Sequence, residues 1–598
     1  MNNRLTLITL FALLILKSFS LVAQENTWLT KYEQSGFLET YNYEETIAIC
    51  KQLADYSPLV YYTSFGKSPQ GRELPLLIID SDHIFEPTKN DKLILLMQAG
   101  IHPGEPDGKD AGLLLIRDMI IHGKHLELLE NITLLFIPIF NVDGYDRFGP
   151  YNRINQNGPK EMGWRTTAHN LNLNRDHIKA DAPEMRDWLQ LFNKWMPHFF
   201  IDCHTTNGAD YQYALTYMLE TYGNMDQRLS AWQTDVYEPE MIRGMKAAGF
   251  PVFRYVQFRR WHDPRSGLRC GAAPGMLSQG YSALLNRPGL LIETHMLKDY
   301  KTRVDATYEM IVQTMKILNL NEQKLRHLIN EADEFAASQD FRDQAFPLGF
   351  RISETDSIMV EFLGVEYDIE PSPLTGGPWF RYHSDRPVTF SLPMFNRNIP
   401  SAEAELPAAY IIPVEWQEVI ERIQAHGIKM QEINEQIRIE VESYRFENPV
   451  FRSTPNEGRQ TVSAELLSIT EERTFHPGSV IIPLNQPSAR LIARMLEPGS
   501  NDSFLQWGFF NAVFEQKEYA ETYVMEPLAR QMLEQDPGLR IEYEAFLEAN
   551  PGLTKNQWML LNWFYSRTPY QDTRKNIYPV ARIYNTSILS MPGSQDAE

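Results

Sequence analysis

A chain of 598 residues is longer than one hydrophobic core usually organises, so two or more domains are expected. Its 43% hydrophobic and 22% charged residues are those of a globular protein and exclude a disordered or fibrous one. The formal net charge of -21 disfavours nonspecific binding to nucleic acid or anionic lipid, while leaving room for a local basic pocket.

In chain order, the first segment reads as an export signal. Arg4 supplies positive charge, residues 5–16 are apolar apart from two Thr, and Ser20-Leu21-Val22-Ala23 offers small residues for cleavage. Lys17 and the shortness of the run argue against a spanning helix, and no second run is long enough to cross a membrane. The expected location is therefore periplasmic or secreted. Three cysteines, Cys50, Cys203 and Cys270, make no disulfide framework, so stability rests on the core.

From about residue 42 to 300 helical and strand-like segments alternate. "YEETIAICKQLADYS" is amphipathic at helical spacing, and "ELPLLIID", "KLILLMQAG" and "ITLLFIPIF" are short apolar runs bounded by turns. "KDAGLLLIRDMI" reads as a helix between the last two, which predicts an α/β sheet covered on both faces. A long helical stretch from about residue 307 to 335 closes the region. Beyond residue 345 strands dominate, interrupted by a helical piece expected over residues 413–442, and the last hundred residues are again helix-rich.

His102-Pro103-Gly104-Glu105 follows the strand-like "KLILLMQAG" directly, and ligand sites in open α/β sheets lie beyond the carboxyl ends of strands. His83-Ile84-Phe85-Glu86 has the same spacing but sits in a polar loop, so position favours the first pair. A catalytic zinc site needs three protein ligands and an open position. His204 supplies a third candidate, again at the end of an apolar run, in "PHFFIDCHTTNG".

The ordered set His102–Glu105, Asn141-Val142-Asp143-Gly144, Trp164-Arg165, Asn174-Arg175, His204 and Glu293 resembles the carboxypeptidase A-like zinc metallopeptidases over roughly residues 40–320. The resemblance implies an α/β fold with a mixed sheet covered by helices on both faces, followed by a mixed β-rich and helical C-terminal region. The implied division is a signal at 1–23, a catalytic domain at 24–340 and an accessory region at 341–598. It further implies one Zn²⁺ per chain on His102, Glu105 and His204, with Glu293 as general base, Arg165 at the oxyanion, and Asn174 and Arg175 on the substrate's terminal carboxylate. The implied partner is a peptide with a free C-terminus.

Three departures from the family pattern stand out. Asn172 occupies the place of an Asp that orients a ligand His, and its amide oxygen still accepts a ring N–H without adding charge. The turn lacks the Arg many relatives carry between His and Glu. Tyr281 is the nearest candidate for the family's mobile tyrosine but stands close to Glu293. Two other readings share the same residues: an amidase acting on cell-wall stem peptides, and a non-catalytic peptide-binding module. Arg259 and Arg260 read as a solvated charge run, and neither the preferred side chain nor the oligomeric state is legible.

Overall fold

The computed structural model describes residues 28–585 and the backbone of Ser594–Asp596, so the expected signal lies outside the described residues. Among the described residues no helix is long and apolar enough to cross a membrane.

An eight-stranded mixed sheet forms the first half. Its strands are β1 (Val60–Lys67), β2 (Glu73–Ile79), β3 (Leu93–Gln98), β4 (Ile132–Ile137), β5 (Phe199–Thr206), β6 (Leu215–Met218), β7 (Phe253–Arg254) and β10 (Gly289–His295), in the order β1-β2-β4-β3-β5-β10-β6-β7. β4, β3, β5 and β10 run parallel to one another, while β2 and β6 flank them antiparallel. Both faces of these strands are buried, which explains why they read as continuous apolar runs rather than alternating ones.

One face packs on helices α1 (Tyr43–Tyr56), α2 (Asp107–His122) and α5 (Tyr300–Leu320) through Leu95, Met97, Cys50, Leu115 and Met310. The other packs on α3 (Pro183–Trp195) and α4 (Ser278–Leu284) through Ile94, Leu96, Trp188, Phe192 and Leu284. α2 lies against β5 only because Gly108 has no side chain: a Cβ there would meet the Cys203 Cβ at 2.2 Å. β3 passes through α2 to β4 on one side while β5 lies on its other side, so the sheet has its topological switch point between β3 and β5.

The second half does not stand apart. β8 (Gln257–Arg260) and β9 (Asp263–Arg269) join β12 (Ile358–Pro371) and β13 (Pro378–Phe395) in one sheet of order β12-β13-β9-β8. β11 (Phe346–Ile352) pairs with β14 (Asn398–Ala404). A seven-stranded sheet built from residues 409–596 follows, and α6 (Ala489–Leu496) belongs to the same hydrophobic cluster as α3.

The helical piece expected over residues 413–442 is corrected by the structure. The α-helix is confined to Gln417–Ala425, and Ile437–Phe451 is a strand. Ile437, Ile439 and Val441 alternate with charged residues at period two, and the long antiparallel pairing with Val462–Phe475 rewards that alternation. The predicted long helix over about 307–335 is two, broken at Asn321.

Candidate active site

Three parallel strand ends carry the site. His102 lies in the turn after β3, His204 is on β5, and Glu293 on β10 is in register with His204. His102, Glu105 and His204 converge, with Nδ1 of His204 3.2 Å from Nδ1 of His102 and 3.0 Å from Glu105 Oε2, and His102 Nδ1 3.2 Å from the same oxygen. All three are buried, and they are the only such His/Cys/Asp/Glu group among the described residues. His83 lies elsewhere, donating from Nδ1 to the Pro58 carbonyl at 2.8 Å.

The outer nitrogens fix what the inner ones offer. His102 Nε2 donates to Asn172 Oδ1 (3.1 Å), an oxygen that also accepts the Asn174 backbone N–H (3.0 Å). His204 Nε2 donates to Asp202 Oδ2 (2.9 Å), which Ser278 Oγ also reaches (2.5 Å). With both protons spent outward, two Nδ1 lone pairs and a carboxylate oxygen face one another, and such a set is stable only around a positive charge. Ligands about 2.0–2.1 Å from a tetrahedral zinc stand about 3.3–3.4 Å apart, close to the separations here. The donor set therefore fits zinc.

Electrostatics agree. Burial pushes His102 down to about 4, which keeps its ring neutral as a ligand must be. Burial opposes the charge on Glu105, but His102 and Arg153 outweigh it and hold the carboxyl well below its ordinary range. Burial likewise opposes charge on His204, yet Asp202 and Glu105 hold it well above its ordinary value.

Arg153, which sequence reasoning missed, donates to Glu105 Oε1 at 2.7 Å and to the Thr205 carbonyl at 3.3 Å. Asp202 was also missed, although a carboxylate two residues before a strand His shares its face. The Asn141-Val142-Asp143-Gly144 segment builds the neighbouring wall. Asn141 caps the turn by accepting the Gly144 N–H (3.0 Å) and donates to the Arg165 carbonyl (3.3 Å), while the Gly144 carbonyl accepts Trp164 N–H at 2.7 Å. A Cβ on Gly144 would meet the Trp164 carbonyl oxygen at 2.7 Å, so only glycine lets the Arg165 segment approach.

These residues open on a cleft of about 690 Å³ that Arg165, Asn174, Arg175, Glu293 and Tyr255 also line. Arg165 reaches Glu105 Oε1 at 3.4 Å, with 43% of its side chain exposed. Arg175 donates to the Asn174 carbonyl (2.6 Å) and has no carboxylate within ion-pairing distance among the described residues. Burial and the neighbouring Arg165 depress its pKa. Glu293 is half-buried, and burial, reinforced by Glu105, pushes it up to about 8.

Tyr281 is not among the cleft residues. It is fully buried on α4, packed against Trp188, Phe192 and His177, with its hydroxyl 3.0 Å from His426 Nδ1. The tyrosine at the cleft is Tyr255, hidden in the sequence within the run of arginines and aromatics. Arg259 pairs with Glu354 and Arg260 with Asp263, and neither lines the cleft.

The zinc carboxypeptidase family matches residues 46–227. Carboxypeptidase 2 of Trichophyton rubrum is 23% identical over 465 residues, covering 75% of this chain and 80% of its own. Probable carboxypeptidase 2 of Arthroderma benhamiae is 23% identical, with 74% and 81% covered. Among solved structures, carboxypeptidase A from Helicoverpa armigera aligns at a TM-score of 0.34 and 17% identity, covering 49% of this chain and 74% of that one. Bovine thrombin-activatable fibrinolysis inhibitor aligns at 0.34 and 14%, covering 49% and 98%. Residues 46–227, which contain His102, Glu105, Asn174, Arg175 and His204, thus match the zinc carboxypeptidase family.

Proposed function

We propose that this protein is an exported zinc metallocarboxypeptidase that removes the C-terminal residue of peptides. The observation that carries the reading is Arg175: a half-buried guanidinium without a carboxylate, in the same cleft as the His102–Glu105–His204 cluster. A planar guanidinium left unpaired calls for an anion, and the terminal carboxylate of a peptide meets it bidentately. Asn174, adjacent and buried, adds a polar contact. The apolar run at residues 5–16 supports export.

His102, Glu105 and His204 would hold the zinc, which when bound would supply Lewis-acid chemistry to water and to the scissile carbonyl. Glu293 takes the proton of the attacking water and passes it to the departing amine nitrogen; its raised pKa suits a group that must both accept and donate. Arg165 faces the oxygen on which negative charge builds. Tyr255 lies over the same cleft with its hydroxyl held protonated, its pKa pushed up to about 12 by burial and Glu293, so it is available as a donor to the peptide.

The test is a pair of peptides differing only in a free or amidated C-terminus. Amidation should lower kcat/KM at least about tenfold to a hundredfold, the scale of one lost charge-assisted contact. Equal hydrolysis of both would replace the carboxypeptidase reading with a general amidase.

A further inference from the structure

Part of the cleft wall, taken as the recess for the substrate's last side chain, states what side chain it accepts, given the carboxypeptidase reading on which this inference rests. Leu291 stands two residues before Glu293 on β10 and so shares its face of the sheet, and its antiparallel partner is Met218 on β6. Both line the cleft, as do Leu277 and Ala273. This apolar lining is interrupted by Gln279 in the first turn of α4. Gln279 is only 2% exposed, lines the same cleft, and its Nε2 is buried with no hydrogen-bond partner among the described residues. A buried amide donor without an acceptor carries its full desolvation penalty until a ligand supplies one.

Two further features bear on the kind of acceptor. Arg269 also lines the cleft and has a buried, unpartnered Nε, although its Nη2 pairs with Glu354. Arg351, on β11, lines the cleft with no carboxylate within ion-pairing distance among the described residues, as does Arg175. Of the cleft arginines, Arg153 is closely neutralised by Glu105 and Arg269 by Glu354, which leaves Arg175 and Arg351 without a carboxylate partner among the described residues. The cleft thus has a surplus of positive charge that favours an anionic side chain over a neutral one and repels a cationic one.

The geometry points to Gln279 as the specificity-determining residue of this recess, selecting a substrate whose C-terminal residue ends in a hydrogen-bond acceptor, glutamate foremost. The recess wall is fixed by the C-terminal half of the chain. Asn398 Oδ1 accepts the Ala272 N–H at 3.0 Å, and Ile352 lies so close to Gly271 that a Cβ there would meet it at 3.0 Å. Residues 270–274 therefore present one shape to the substrate rather than closing around any side chain.

Four peptides identical except for a C-terminal Glu, Gln, Leu or Lys test this with the zinc-loaded full chain, alongside Gln279→Leu and Gln279→Glu. Wild type should cleave the Glu peptide best and the Lys peptide worst. Gln279→Leu should lower the Glu-to-Leu ratio of kcat/KM about tenfold to a hundredfold, the scale of one hydrogen bond to a charged group. Zinc bound in the same proportion as by wild type would show that it folds. Gln279→Glu should reverse the order of Glu and Lys, and it decides the matter if the first variant is inactive on everything. Unchanged ratios in the variants overturn the role of Gln279. A wild type that prefers Leu or Lys overturns the acidic selection while leaving the carboxypeptidase intact. If no free C-terminus is cleaved, the carboxypeptidase reading fails and this inference with it.

Discussion

The two histidines proposed as ligands are oriented by chemically different partners, Asn172 for His102 and Asp202 for His204. A carboxylate behind a ligand imidazole raises its basicity, and an amide only orients it. Asp202→Asn should therefore weaken zinc about 10- to 100-fold, and Asn172→Asp should tighten it, both read by competition with a chelator. Unchanged affinity in both variants would mean that the partners only orient the rings. Glu293→Gln should keep the metal but lower turnover by about 10² to 10⁴, as loss of a positioned proton carrier does; loss of zinc in that variant would make Glu293 a ligand. In the proposed role Glu293 must be deprotonated to act as a base, so kcat/KM should rise with pH through its pKa. A neighbouring dication favours the carboxylate, so the midpoint of that limb should fall below about 8. A midpoint above that value would remove Glu293 from the role. That His102, Glu105, His204 and Glu293 come together was legible because strand ends announce themselves in sequence. The tyrosine was not: the distance from Tyr281 to Glu293 along the chain does not reveal that α4 turns that ring into the core, or that Tyr255 reaches the cleft.

At the scale of elements, the segment from Cys270 to Leu277 is a loop without regular structure, yet it lines the cleft, so something must hold it. Asp502, 2% exposed, accepts the Gly275 N–H at 2.9 Å and the Met276 N–H at 3.2 Å, and Glu220 accepts the Ala273 N–H at 2.6 Å. Asp502→Ala leaves two backbone donors without their acceptor, at a cost of about 1–3 kcal/mol for each that stays buried. Denaturant unfolding should show that loss, and KM should rise more than kcat falls, because the loop shapes the recess and carries no proton. A fall in kcat alone would place the loop in the chemistry instead. The strands of the first sheet could be read from their apolar runs, and α1 from its spacing; the structure adds an Asn42–Glu45 capping box at its start. The stretch over 413–442 misled because a short amphipathic helix, Gln417–Ala425, runs on in sequence toward strands whose pairing partners lie far along the chain. A loop pinned by a residue more than 200 positions away leaves no mark in either periodicity.

For the whole molecule, the question is whether residues 341–598 are an appendage. The alignment to Trichophyton rubrum carboxypeptidase 2 covers 75% of the chain, more than residues 1–340 alone contain, so the likeness runs into the second half. The structure gives the physical reason. β9 pairs with β13, and the buried cluster that includes Trp188 and Phe192 of α3 also includes Leu491 of α6, Phe504 and Tyr410. His426 bridges the Tyr281 hydroxyl and the Ile178 carbonyl (2.9 Å), Glu457 accepts the Asn172 N–H behind ligand His102 (3.1 Å), and Arg459 holds Asp181. Cutting the chain after residue 340 would uncover several large apolar side chains on the α3 face, each worth about 1.5–3 kcal/mol of burial, against a total stability of about 5–15 kcal/mol for a typical domain. The full chain should accordingly lose both halves in one cooperative transition, followed by near-ultraviolet circular dichroism for the aromatic core and by zinc release for the site. The fragment 24–340 should be insoluble or lack fixed packing, and should not hold zinc stoichiometrically. A soluble fragment that binds zinc and cleaves peptides at the full chain's rate would show that the catalytic half closes its own core, and the second half would then be an accessory in the ordinary sense.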